Sequence, residues 1–298
     1  MSSVLTQSAG LVAFVRAVEA GSFSAAARNA GTTPSAISKA VRRLEGELGA
    51  RLFRRSTRTL SLTPDGQLFF DRVAPLLREL QDSADAMRAA DGVRGRLRVS
   101  MPGELGRLLM EAITTRFLAA HPQLELDLVL ADRHVDVIAE GYDVVFRVGT
   151  VLASELKTRT LAHLDMALVA SPAFLRRMGE PASIRELREL PFVRYVFGGR
   201  TLPLVFADGT TITPRGRLGL DTGYGLRAAA LSGMGVAHLM KCTVQDDLDR
   251  GDLVQLMREQ RLPALPLRAL HAFGRLAPAR VRLLSDFIAR EVQRLAGA

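Results

Sequence analysis

The chain has 298 residues, 48% of them hydrophobic and 24% charged, with 40 basic against 31 acidic side chains and a formal net charge of +9. At about 100–200 residues per domain this is ordinary globular material for two or three compact units, which excludes disordered and fibrous classes. A single cysteine, Cys242, excludes an internal disulfide, and no Cys/His cluster has the spacing of a structural zinc site.

The charge is unevenly placed. Residues 1–62 hold nine basic and three acidic side chains, a net +6, so the other 236 residues carry only +3. A basic end of this kind meets a polyanion, either nucleic acid or an anionic membrane surface. A solvated arginine-rich surface is the other reading of the charge taken alone. Residues 1–10 have neither a basic n-region nor an apolar h-region, and no stretch reaches 18 uninterrupted apolar residues, so neither a secretory leader nor a membrane span is expected. The cysteine usage fits a reducing, cytoplasmic setting.

Leu11, Phe14, Val15 and Val18 recur at helical spacing, and Gly21 ends that segment. Ser22 or Ser24 caps a short second helix running through Ala25–Ala27 to about residue 30. Gly31-Thr32-Thr33 forms a tight turn, and Thr33-Pro34 opens a third helix with cap and proline in the favoured order. Along it Ile37, Val41, Leu44 and Leu48 form an apolar stripe, off which lie Ser35, Ser38, Lys39, Arg42 and Arg43; Gly49 stops it. A short helix, a three-residue turn and a helix with a basic outer face make a helix-turn-helix arrangement that binds duplex DNA. Ser35, Ser38 and Lys39 then reach base edges or phosphates, Arg42 or Arg43 meets the backbone, and Ser24, Thr33 and Pro34 flank the same surface. Arg51–Arg55 and Thr59–Leu62 read as two short strands of a β-hairpin wing, with Arg54, Arg55 and Arg58 placed to follow the neighbouring groove.

The run Phe23-Ser-Ala-Ala-Ala27, then Pro34-Ser-Ala-Ile-Ser-Lys-Ala-Val-Arg-Arg-Leu-Glu45, then Leu48-Gly-Ala-Arg-Leu-Phe-Arg-Arg55, completed by Leu62-Thr-Pro-Asp-Gly66, resembles the signature of LysR-type transcriptional regulators. The pattern is long, ordered and specific, and the resemblance covers essentially the whole chain. Thr33 departs from it, since such proteins often carry glutamine there; the departure bears on sequence preference.

Thr63-Pro64 repeats the cap-plus-proline start, and a long helix to about residue 90 follows. Phe69, Val73, Leu76 or Leu77, Leu80, Ala84 and Met87 make a narrow apolar seam that one helix cannot bury alone. Pairing with a second chain as a coiled coil is the expected solution, packing against the chain's own second domain the alternative. Pro75 predicts a kink or local disruption. The resemblance implies a linker helix that sets two winged heads on a two-fold site, and family members commonly form homotetramers. Asp91-Gly92 and Gly95 mark the hinge.

From Leu97 onward short apolar strands alternate with amphipathic helices, the α/β pattern. Strands are predicted at 97–101, 124–130 and 143–148, and helices at 104–120 and 135–140. A second set of strands falls at 166–170, 192–197, 218–221, 236–239, 253–256 and 267–273, before a last helix from 278 to about 295. The resemblance implies two Rossmann-like lobes of periplasmic-binding-protein type II, joined by crossing strands, with the effector cleft between them. By that analogy 1–62 is the winged helix-turn-helix domain, 63–91 the linker and dimerisation helix, and 92–298 the effector-binding domain, with lobe I at about 93–164 and 268–298 and lobe II at about 165–267.

Candidate cleft residues are few. Ser100, Pro102 and Gly103 join the first strand to a helix N-terminus, whose free N–H groups suit an anion. An ordinary helix cap is the bland reading. Arg147, with Val148 beside it at a strand end, can clamp a carboxylate or make a structural ion pair with Asp132. The resemblance implies that both these loops and the one at Ala131-Asp132-Arg133 line the cleft, which makes Asp132 an effector-binding candidate too. Tyr195, Phe197, Thr222 and Tyr224 can supply stacking and hydroxyl contacts from the other side. A small acid, carboxylate or aromatic, is the expected effector.

Other motifs point nowhere firmly. Gly223-Tyr-Gly-Leu-Arg-Ala228 matches G-x-G-x-x-A, but no full βαβ unit with an acidic strand end follows it. The five histidines are scattered, Ser171 and Ser232 lack a G-x-S-x-G setting, and Cys242 reads as a structural thiol. No metal, cofactor or catalytic site is expected. The sequence thus predicts a LysR-type regulator whose binding to double-stranded operator DNA is modulated by a small anionic effector. A solute-binding protein or transferase of the same cleft fold, or a constitutive architectural DNA-binding protein, are the alternatives.

Overall fold

The computed structural model describes residues 8–54, 60–87, 93–149, 156–274 and 277–297. The expected wing-tip residues Arg55 and Arg58 lie outside them. The chain divides into two compact units, one built on residues 1–91 and the other on 92–137, 142–272 and 279–298, while the short segments 138–141 and 273–278 group with the first.

The first unit is helical. Helices α1 (Ser8–Glu19), α2 (Phe23–Asn29) and α3 (Pro34–Leu48) precede a long α4 (Pro64–Met87). Of the two candidate caps for α2 it is Ser22 whose hydroxyl accepts the Ala25 N–H, while Ser24 is exposed inside the helix. Thr33 caps α3 through the Ala36 N–H, Pro34 takes the first helical position, and Gly49 closes it in the left-handed conformation. The four helices enclose one core around the fully buried Phe14, whose ring lies 5.4–6.3 Å from those of Phe53, Phe69 and Phe70.

Between α3 and α4 the chain pairs with itself at its base only. Phe53 bridges Leu62, the Arg54 N–H donates to Ser61 O at 2.9 Å and the Thr63 N–H to Leu52 O at 2.9 Å. The sequence predicts two strands here; the described pairing is an isolated bridge. Helix α4 starts against this base at Gly66, where a Cβ would lie 2.0 Å from Leu52 O, so a side chain has no room.

One expectation for α4 changes. The helix itself runs through Pro75 to Met87, as expected, with the proline giving up one N–H bond. Much of the seam assigned to a partner belongs to the head: Phe69, Val73 and Leu77 pack beside buried Phe70 and Ala74 on the head core. Of that seam Leu76 and Leu80 stay exposed, at 59% and 66%, and Leu68, outside it, is exposed at 55%. The side chains of Ala84 and Met87 lie outside the description.

The second unit is α/β with two lobes. In the first, β1 (Gly95–Met101), β2 (Leu124–Leu130), β3 (Val144–Val148), β4 (Lys157–Leu164) and β13 (Leu265–His271) form a five-stranded sheet in the order β2-β1-β3-β13-β4. The β1–β2 and β1–β3 pairs are parallel, while β13 is antiparallel to β3 and β4. Helix α5 (Gly103–Ala112) continues as a π-helical turn over Ile113–Leu118. It seats closely on β2 because Gly106 has no Cβ, which would lie 2.2 Å from a Leu130 methyl.

The chain crosses to the second lobe between β4 and β5 (Met166–Ala170). There follow α6 (Pro172–Met178), α7 (Ile184–Glu189), β6 (Val193–Phe197), β7 (Arg200–Thr201), β8 (Leu204–Val205), β9 (Thr211–Ile212), β10 (Leu218–Leu220), α8 (Gly223–Leu231), β11 (Ala237–Met240), α9 (Lys241–Asp249) and β12 (Val254–Leu256). The strands form β11-β5-β12 and β10-β6-β7 sheets and a β8–β9 hairpin. The chain then returns through β13 and ends in α10 (Ala279–Gly297). No single helix among the described residues is long and apolar enough to cross a membrane.

The helix expected at 135–140 is not formed. These residues turn instead, with the Tyr142 N–H on Val137 O and Gly141 at φ 70°. Strand β4 has no counterpart among the predicted elements: its first four residues, Lys157 to Thr160, are exposed and polar, so no apolar run marks it.

His238 on β11 is buried enough to hold its imidazole down at about pKa 4, and its Nε2 has no partner among the described residues. The ring stays neutral in the fold down to that pH, whereas in the unfolded chain it gains its proton near 6.5. Stability is therefore expected to fall as pH drops from about 6.5 to 4, by about 3 kcal/mol from this group. Urea melts of wild type and His238→Leu across that range check it, with a flatter profile expected for the variant.

Candidate functional site

The third helix is built to be held on one side and offered on the other. Ile37, Val41 and Leu44 are buried, while Pro34, Ser35, Lys39, Arg42 and Arg43 are exposed and Ser38 is half-buried. Ser35, Ser38, Lys39, Arg42 and Arg43 repeat at three- and four-residue steps, so they share the outward face. Their local bonds are weak. Arg43 Nε lies 3.4 Å from Glu47 and Arg42 Nε 3.4 Å from Ser38 O, both at the surface. The Thr33 hydroxyl serves the helix cap and sits 3.0 Å from Ser35 Oγ. Arg54 Nε donates to Leu62 O at the wing base. This end of the helix presents hydroxyls and cations in an arrangement suited to a duplex groove.

Sequence reasoning assigns no role to Glu45. Its carboxylate is buried, with Oε1 accepting the Leu52 N–H at 2.8 Å and the Phe53 N–H at 3.1 Å, while Oε2 faces Arg51 at 3.5 Å. Glu45 thus pins the wing base to α3. The available signal is a lone acid on the apolar side of the stripe. Glu45→Ala leaves two backbone donors without an acceptor and is expected to cost the head about 2–3 kcal/mol. A lower midpoint in chemical unfolding followed by near-UV circular dichroism checks this.

In the body, one group of residues gathers where the two lobes meet. Ser100 is fully buried at the end of β1 and its Oγ accepts a hydrogen bond from Arg147 Nη2 at 3.0 Å. Arg147 also donates to Phe146 O at 2.7 Å and Arg133 O at 3.2 Å. All three acceptors are neutral, and burial lowers the guanidinium's pKa. Asp132 turns its carboxylate elsewhere than to Arg147. One oxygen accepts the Gly103 N–H at 2.9 Å and the other the Gly223 N–H at 3.1 Å. The Gly103 amide, expected to be free for an anion, is therefore occupied. Pro102 stands at the N-cap of α5 with no side-chain bond to offer.

Tyr195 on β6 is half-buried, and burial together with the charges of Asp132 and Asp221 pushes its pKa up to about 12. It stays a neutral hydroxyl, close enough to Arg147 and Asp132 to feel both charges. Thr222 caps α8, its hydroxyl accepting the Gly225 N–H. Phe197 and Tyr224 are exposed, the first paired with Arg200 in the β6–β7 hairpin, and Val148 is half-buried in β3 opposite Leu267. The glycine motif at 223–228 opens α8, but the flanking β10 and β11 lie in different sheets, and β11 runs antiparallel to β5. A dinucleotide-binding βαβ unit is not formed there. Burial pushes the Cys242 thiol up to about 11, so it stays protonated at neutral pH.

A helix-turn-helix head joined by a long helix to a two-lobed α/β body defines a class, the transcriptional regulators that carry their own effector-binding domain. Residues 9–67 match the family described as "Bacterial regulatory helix-turn-helix protein, lysR family", and residues 90–293 match "LysR substrate binding domain". The chain belongs to the LysR family. It is 32% identical over 291 residues to the HTH-type transcriptional regulator CrgA of Neisseria meningitidis serogroup C, covering 96% of this chain and 97% of that one. It is 30% identical over 275 residues to the HTH-type transcriptional activator AaeR of Escherichia coli K12, covering 91% and 89%. The solved structure of CrgA from Neisseria meningitidis matches with a TM-score of 0.59 at 29% identity, over 97% of this chain and 98% of that one. ArgP from Mycobacterium tuberculosis matches in fold, with a TM-score of 0.68 at 20% identity over 95% and 96%.

Proposed function

We propose that this regulator binds double-stranded operator DNA through α3 and the wing, as a homodimer on an interrupted palindrome, and that a small anionic effector between the lobes modulates the binding. The observation that carries the reading is the outward face of α3, where Ser35, Lys39, Arg42 and Arg43 stand exposed on a helix locked from behind by Ile37, Val41 and Leu44. The exposed Leu76 and Leu80 stripe on α4 supports pairing of two chains, and the family supports assembly to a tetramer. Arg147, half-buried on neutral acceptors, supports a carboxylate effector. The protein works in the cytoplasm and turns over no substrate.

Footprinting on DNA upstream of its own gene tests the reading. Wild type is expected to protect a two-fold site, and Lys39→Ala or Ser38→Ala to weaken binding by about 1–3 kcal/mol wherever the side chain reads a base edge. Unchanged footprints in both variants would remove α3 from the interface.

A further inference from the structure

The bonds of Asp132 have a mechanical consequence. It stands just after β2, in the first lobe, and its two oxygens reach the first residues of two helices, Gly103 of α5 in its own lobe and Gly223 of α8 in the other. Both helix starts need an outside acceptor. Pro102, at the cap of α5, has no polar side chain, and the Thr222 hydroxyl is spent on Gly225. The positive ends of two helix dipoles converge on one carboxylate. The two first turns also touch, since a Cβ at Gly223 would meet Glu104 Cγ at 3.3 Å.

The next residue is the catch. Arg147 Nη2 holds the carbonyl of Arg133 at 3.2 Å as well as Ser100 Oγ at 3.0 Å. A guanidinium bonded to neutral oxygens gains from exchanging one of them for a carboxylate, because charge-assisted bonds are stronger. The Arg133 carbonyl is the longer of these two bonds and the one on the Asp132 loop.

We propose that Asp132 is a latch between the lobes and that Arg147 holds it shut: a carboxylate bound at Arg147 frees the Arg133 carbonyl, loosens the loop and lets α8 part from Asp132. This rests on the reading of the inter-lobe region as the effector site. It requires no new covalent chemistry, only an exchange of acceptors at Arg147 Nη2. The coupling runs through two adjacent backbone positions, so the two ends are tied mechanically.

Amide hydrogen exchange on the full chain tests it. In Asp132→Ala the Gly103 and Gly223 amides are expected to exchange roughly tenfold faster than in wild type or more, with α10 amides unchanged. Asp132→Asn, which keeps one acceptor oxygen and the side-chain volume, is expected to act in the same direction should the alanine variant fold poorly. Arg147→Met is expected to speed Gly223 exchange with Asp132 intact, and acetate titrated into wild type to do the same. Unchanged Gly223 exchange in both Asp132 variants overturns the latch. A response in those variants with none in Arg147→Met overturns the link to Arg147. The variant measurements need no effector. Were DNA binding by wild type indifferent to every small acid, the effector reading would fail while faster exchange still upheld the latch.

Discussion

Phe14→Ala is expected to destabilise the head by about 3–5 kcal/mol and to abolish DNA binding. Truncating a buried phenylalanine loses its transfer energy and leaves a cavity that close-packed neighbours fill only in part. Phe14 is fully buried and its ring touches those of Phe53, Phe69 and Phe70, so one side chain joins α1 to the wing base and to α4. The magnitude matters because the unit is small. At about 0.05–0.15 kcal/mol per residue, a head of this size has only a few kcal/mol to lose. The core cluster around Phe14 contains head and α4 residues alone. Calorimetry of the full chain should therefore show the head transition abolished or lowered with the body transition kept. A head transition within about 1 °C of wild type would contradict the packing argument.

Asp247→Ala is expected to cost the body about 3–5 kcal/mol, the usual result of removing one partner from a buried charge pair. Asp247 is almost completely buried in α9. The guanidinium of Arg227 on α8 meets it with two bonds, Nε to Oδ2 at 2.6 Å and Nη2 to Oδ1 at 2.7 Å, while Arg250 approaches Oδ1 from the surface. Without the carboxylate, Arg227 keeps its charge in a largely dry position. The same pair fixes α8, whose first turn carries Thr222 and Gly223, so the variant should also loosen the latch end of that helix. Thermal unfolding checks the first effect. A melting temperature equal to wild type would show that water replaces the missing acceptor at no cost.

The head is largely legible in the sequence because its signals are local. Thr33-Pro34 before the stripe and Gly49 after it fix α3 by backbone rules that need no partner, and the structure puts cap, proline and left-handed glycine at those positions. What is not legible depends on distant packing. The spacing of Phe69, Val73 and Leu77 reads as a coiled-coil seam, and only the fold shows that these side chains pack on the head core. The polar start of β4 hides a sheet edge, and Val135, Val137 and Ile138 promise a helix where the chain turns instead. In the body, Arg147, Ser100 and Asp132 can be picked out as strand-end residues. That Asp132 bonds two helix starts far apart in sequence, rather than pairing with Arg147, follows from the meeting of the lobes and has no sequence signal.

The net charge of +9 gains its meaning from the face of α3. The most direct test is the salt dependence of binding to the footprinted DNA by wild type and by Lys39→Ala/Arg43→Ala, measured by fluorescence anisotropy. Each phosphate neutralised contributes about 0.9 to the slope of log affinity against log salt. Wild type is expected to give a slope of several units, and the double variant a slope flatter by about one to two per head. Equal slopes and equal affinities for the two proteins would contradict the claim that α3 is the DNA-binding surface.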